Sequence, residues 1–168
     1  MNPKIIQLPA LTLLGLETLF ISAQSPDANN LALIPPLFGR FFARRAELAP
    51  ALDAFTYGAC RCLPSDQRRH ADELAYLVCA SVDADAPVPA GMTVWRVPAL
   101  TYALFTHRGP IARLSETISF IHGTWLLHSD YQHANRPELE RYDERFGDGG
   151  EQCELDYLVP VQTKTATD

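Results

Sequence analysis

One order of segments runs through this chain twice. Leu11 to Ser22 is rich in Leu, Ile, Phe and Thr and gives way to Gln24-Ser25-Pro26-Asp27, so it reads as a strand entering a loop. Pro35-Pro36 can open a helix, because the first turn needs no amide donors there. Leu37, Phe38, Phe41, Phe42 and Arg45 then recur at helical spacing before Pro50. Phe55 to Leu63 and Glu73 to Val82 are short β-rich runs on either side of the charged turn Ser65 to His70, which predicts a hairpin. After the loop Asp83 to Gly91 the order restarts. Trp95 to Thr106 reads as one or two strands and Gly109-Pro110 precedes a second helix, in which Ile111, Leu114, Ile118, Ile121 and Trp125 form the buried stripe. The segment from Pro137 carries Tyr142 in extended chain, and Glu154 to Val161 is the closing strand. Strand, helix, strand, strand thus appears in residues 8–85 and again in 92–162, with 163–168 as a polar tail.

The 168 residues, nearly half of them hydrophobic, suit a single domain, 1–168, with a sizeable core. A formal charge of −6 argues against a broad phosphate-facing surface, so no direct nucleic-acid partner is expected. Neither a signal peptide nor a membrane-crossing apolar run is found, and the expected setting is the cytoplasm. In that setting Cys60, Cys62, Cys79 and Cys153 read as reduced thiols. Neither Cys60-Arg61-Cys62 nor His122 and His128, six apart, has the spacing of a zinc site, so no metal and no cofactor are expected. His70 and His133 read as solvated loop residues.

Several pieces occur in a telling order. They are Tyr57-Gly58 after the first helix, Tyr102-Ala103 with His107-Arg108-Gly109-Pro110 before the second, and Trp125-Leu126 with Ser129-Asp130-Tyr131 after it. Pro137-x-x-Glu140-x-Tyr142-Asp143-Glu144-Arg145-Phe146 and Glu154 to Val161 complete the set. Together they resemble the GyrI-like small-molecule-binding domains, also found behind the DNA-binding domains of MerR- and AraC-type multidrug regulators. The resemblance implies an α+β fold, a pseudo-twofold repeat of two βαββ units in which two main helices cover one side of an antiparallel sheet with a ligand cleft between them. It also implies an acidic residue of the closing strand at the cleft floor. Here the usual Glu four residues before that strand's Pro is replaced by Asp156, with Glu154 two residues earlier.

Glu154, Asp156 and Leu158 share one face of that strand and Leu155, Tyr157 and Val159 the other. If the first face meets the cleft, Glu154 and Asp156 are the ligand's carboxylates; if not, the face meets solvent, or Arg96, Arg108 or Arg113 already neutralises it. Aromatic walls are expected from Phe38, Phe41 and Phe42 on the first helix, Trp125 on the second, and Tyr57, Tyr102 and Tyr142 on strands. These features are compatible with two functions. One is a stand-alone receptor or sequestering protein for small amphipathic, cationic aromatic molecules, with any regulatory output passing through a partner protein or a homodimer. The other is a hydrolase of reactive, genotoxic small molecules, with Glu154 or Asp156 as general base and Tyr102 or Tyr142 as proton donor.

Overall fold

A computed structural model describes residues 1–164. Nine strands, β1 (Lys4–Leu8), β2 (Leu11–Ile21), β3 (Thr56–Cys62), β4 (Glu73–Val82), β5 (Thr93–Val97), β6 (Leu100–Arg108), β7 (Tyr131–His133), β8 (Glu138–Tyr142) and β9 (Glu154–Thr163), form one sheet. Their order is β1-β6-β9-β8-β3-β4-β2-β5, with β7 also on β9, and every pairing is antiparallel. Helix α1 (Asn30–Ala43) belongs to the first half; α2 (Leu114–Phe120), a π-helical turn (Ile121–Trp125) and α3 (Leu126–His128) belong to the second.

The doubled order is therefore a doubled structure: β2-α1-β3-β4 repeats as β6-α2-β8-β9, and the halves meet where β3 pairs β8. Each half also lends a strand to the other, since β1 pairs β6 and β5 pairs β2. The helices lie on one side. Under α1, Leu37 and Phe41 pack with Leu14, Phe20, Tyr76, Val78 and Ala80; under the second helix, Ile121 and Trp125 pack with Ala103, Phe105, Leu155, Tyr157 and Val159. The opposite side is buried too. There Leu13, Tyr57, Leu77, Tyr102, Leu139 and Leu158 share a cluster with Trp95 of β5 and Ile6 of β1, so the two edges of a strongly curled sheet converge over it.

Several boundaries depart from expectation. Helix α1 opens at Asn30, so Pro35 and Pro36 lie inside it and the amide bonds they would make to Leu31 and Ala32 are missing. The start is anchored instead by Asn29, whose Oδ1 accepts the Ile21 amide at 2.7 Å, and burial of Leu37 and Phe41 holds the turns beyond the prolines. The apolar stripe of the second helix holds from Ile111 to Trp125, but its backbone passes through a π turn. Strands β1 and β7 escape prediction because they are short and owe their pairing to partners far along the chain. Gln162 and Thr163, at the start of the polar C-terminal stretch, pair with Gln132 and Tyr131; 165–168 lie outside the described residues.

Gly15 is the tightest point of the β2–β4 pairing: a Cβ there would stand 1.9 Å from the Val78 carbonyl oxygen, a backbone atom that cannot swing away. Gly15→Ala is expected to lower the urea midpoint by an amount equivalent to about 1–3 kcal/mol. Gly39→Ala, on α1 with nothing within 4 Å, should raise it.

Candidate functional site

At the junction of the halves, a cross-strand row faces the helices: Phe105 of β6, Tyr157 of β9, Glu140 of β8, Gly58 of β3 and Val78 of β4. Glu140 is the only charged member. Its Oε2 accepts the hydroxyl protons of Tyr76 and Tyr142, each at 2.5 Å. Gly58 makes this arrangement fit, since a Cβ there would lie 1.9 Å from the Tyr76 hydroxyl and 2.8 Å from Glu140 Oε2. Phe38 of α1 packs against both tyrosines, with its ring centroid 5.1 Å from Tyr142 and 6.4 Å from Tyr76. Phe146 closes on Tyr142 from the far side at 5.0 Å.

Glu140 keeps partial access to solvent yet has no ion pair among the described residues. Burial pushes its carboxyl above the ordinary carboxylate range; the two phenols oppose that shift and the charge of Glu138 adds to it. Burial also pushes the Tyr76 and Tyr142 phenols well up, so both stay protonated donors. An enclosed carboxylate with aromatic walls and no cation of its own is costly, by several kcal/mol when charged.

Glu138, next along the same face of β8, is differently held. The Tyr157 hydroxyl donates to its Oε2, and its Oε1 lies 3.0 Å from His122 Nε2 and 3.1 Å from His133 Nε2. His133 is therefore a strand residue against a carboxylate, not the loop residue expected. Among the described residues no group of three or more His, Cys, Asp or Glu is arranged to hold a metal ion.

The carboxylates expected at the cleft lie on the other side of the sheet. Asp156 pairs Arg141 across strands and accepts from Arg141 at 3.2 Å, Arg145 at 3.0 Å and Thr106 at 2.9 Å. Glu154 accepts from Arg108 Nε at 2.7 Å. Of the three arginines expected to neutralise this face, only Arg108 does so; Arg96 donates to Ala84 O and Arg113 to Glu116. Tyr57, donating to Asp53 at 2.8 Å, and the buried Tyr102 belong to this side as well. Of the expected aromatic walls, Phe38 and Tyr142 meet at Glu140. Phe41 is wholly buried in the core under α1, and the mostly exposed Phe42 lies tilted against Phe38, their ring centroids 6.3 Å apart. Trp125 packs on Phe105 and Tyr131 beneath the second helix.

Sequence reasoning meets Glu140 only as part of a motif and misses Tyr76, Glu138 and Gly58 as site residues. The signal that could have found them is the alternation Glu138, Glu140, Tyr142, which places two acids and a phenol on one strand face. A broad groove elsewhere, lined by Ile5, Gln7, Leu100, Thr101 and Tyr131 among others, has no charged side chain.

A protein-family model for integron-associated effector binding proteins, Cass2, matches residues 4–161. The chain belongs to this family. That agrees with the GyrI-like motifs, and the doubled fold with its helices on one side is the family's. BrlR, a transcriptional regulator of Pseudomonas aeruginosa, is 29% identical over 163 residues, covering 96% of this chain and 56% of the regulator, so the chain spans about half the length of that curated relative. SAV2435, solved bound to tetraphenylphosphonium, has a TM-score of 0.70 at 17% identity, over 96% of this chain and 94% of that one. The EcmrR C-terminal domain has a TM-score of 0.66 at 17% identity, over 97% and 98%. No helix among the described residues is long and apolar enough to cross a membrane.

The Asp156 network gives a prediction with a definite sign. Burial raises the Asp156 carboxyl, but hydrogen bonds from Arg145 and Thr106 and the charges of Arg145 and Arg141 outweigh it and hold the group below its ordinary value. A carboxylate depressed in the folded state stabilises the fold above its unfolded pKa, about 3.9, and that stabilisation is lost as pH falls through the folded value. Asp156→Asn should therefore lower stability at neutral pH by about 1–3 kcal/mol. In urea titrations the gap from the wild type should close below about pH 4.

Proposed function

We propose that this domain binds small amphipathic cations, with Glu140 as the counter-charge and Phe38, Tyr76 and Tyr142 as the apolar walls. The observation that carries the reading is the state of Glu140: enclosed, accepting two phenol hydrogen bonds, and lacking any ion pair among the described residues. Such a carboxylate gains a partner only from outside the protein, and rings presenting their faces to a cation add about 0.5–2 kcal/mol each. Membership of an effector-binding family supports the reading, as does a structural neighbour bound to tetraphenylphosphonium. The carboxylates first expected to serve, Glu154 and Asp156, fit a structural role better because arginines already hold them.

Ligand approach involves Phe38, whose ring covers the two tyrosines. Because buried Leu37 and Phe41 hold the backbone of this turn, the ring moves by side-chain rotation rather than by opening of the helix.

The test is titration of tetraphenylphosphonium into the wild type and Glu140→Gln, read by tryptophan fluorescence and calorimetry. Because Glu140 must be ionised to serve, affinity should rise with pH as its raised pKa is passed. Glu140→Gln should weaken binding by about tenfold or more. It should also leave the melting temperature unchanged or higher, since it removes an uncompensated charge. Equal affinity in the two proteins would refute the reading. Incubation with strained electrophiles followed by mass spectrometry separates a receptor, which returns them as a control without protein does, from a hydrolase, which turns them over.

A further inference from the structure

Beside Glu140 stands a second carboxylate that a monocation leaves unused. Glu138 sits two residues before Glu140 on the same face of β8, so the two side chains leave the backbone about 7 Å apart. Every titratable group facing it can be named. Tyr157 donates from β9, His122 approaches from the π turn and His133 from β7. Cys60 is its cross-strand partner on β3, with a thiol pushed well up by burial and therefore neutral, and Glu140 is the adjacent acid. His133 Nδ1 accepts the Asn135 amide at 3.0 Å, so the neutral ring carries its proton on Nε2, the atom turned to Glu138. That Nε2 is buried and makes no well-aligned hydrogen bond.

We infer that Glu138, His122 and His133 form a second cation subsite, open to a second positive centre when the His122 imidazole is neutral and closed when it is protonated. The inference rests on Glu140 being the partner of the first cation. A protonated His122 cancels the charge of Glu138; a neutral one leaves that charge free beside that of Glu140. Imidazole is the side chain whose charge ordinarily changes between about pH 5 and 8. Glu138 stays ionised through that interval: burial pushes it up, but contacts from His122, His133 and Tyr157 bring it down to about 2. The contact with Glu138 holds His122 above the ordinary imidazole value, so its charge is given up on the alkaline side of it. The ligand class is an aromatic dication with charges about 7 Å apart in weak alkali, reduced to monocations in weak acid.

The test uses matched probes, benzyltrimethylammonium and 1,4-bis(trimethylammoniomethyl)benzene, titrated calorimetrically from about pH 5.5 to about pH 8.5. The ratio of dication to monocation affinity cancels the titration of Glu140, which both probes share. In the wild type this ratio should rise by about tenfold or more across the range. In the double variant His122→Gln/His133→Gln it should be high and independent of pH; in Glu138→Gln, which leaves the second positive centre without its counter-charge, it should stay below the wild-type value at every pH. A flat ratio in the wild type, or a pH-dependent one in the histidine double variant, would overturn the inference. If Glu138→Gln does not fold, the double variant decides alone. Failure of benzyltrimethylammonium to bind at any pH overturns the Glu140 reading and this inference together. Monocation binding weakened by Glu140→Gln, with a flat wild-type ratio, overturns only the second subsite.

Discussion

The architecture of the helix-covered face turns on a carboxylate held by two phenols and no base. Glu140 draws Tyr76 from one half of the chain and its own strand neighbour Tyr142 to a single oxygen, and Phe38 rests on both rings. Hydroxyl donors stabilise the charge without cancelling it. Gly58 belongs to the same constraint, because any larger residue there would overlap the Tyr76 hydroxyl.

Asp156 shows what the sheet does with an acid it uses for itself. It is one strand away from this chemistry and on the opposite face, where it meets two guanidinium groups and a threonine hydroxyl. Arg141, the residue after Glu140, spreads over the Phe55 ring at 4.6 Å while bonding Asp156. Consecutive residues of β8 thus face opposite sides, Glu140 towards Tyr76 and Tyr142 and Arg141 locked to Asp156. The pleat alone separates them.

The strands with strong alternation and clear turns, β2, β3, β4 and β9, were legible in the sequence, as was the apolar stripe from Ile111 to Trp125. The doubled order gave the halves. What could not be read was which face of β9 the helices cover, because Leu155 and Leu158, on opposite faces, are both fully buried. Alternation put Glu154 and Asp156 on one face; tertiary packing turned that face away from the helices. The start of helix α1 was misread because a proline pair is a strong opening signal, overridden here by burial of Leu37 and Phe41. The His122–Glu138–His133 contact was illegible for a different reason: it unites a π turn, a three-residue strand and β8, elements that assemble only in the finished fold.

The register between the halves has a further meaning. Thr56 pairs Tyr142 and Cys60 pairs Glu138, so Gly58 and Glu140 face each other at the centre of the pairing, where the pseudo-twofold axis passes. They occupy equivalent positions in the two repeats. A true dimer of identical half-chains must place the same residue at both: two glycines would leave the axis without charge, and two glutamates would set like charges side by side with no room for the tyrosine. A single carboxylate on the axis, with a gap opposite to receive a neighbour's hydroxyl, is open only to two halves joined in one chain and free to diverge. The charged centre is thus a product of broken symmetry between the two repeats.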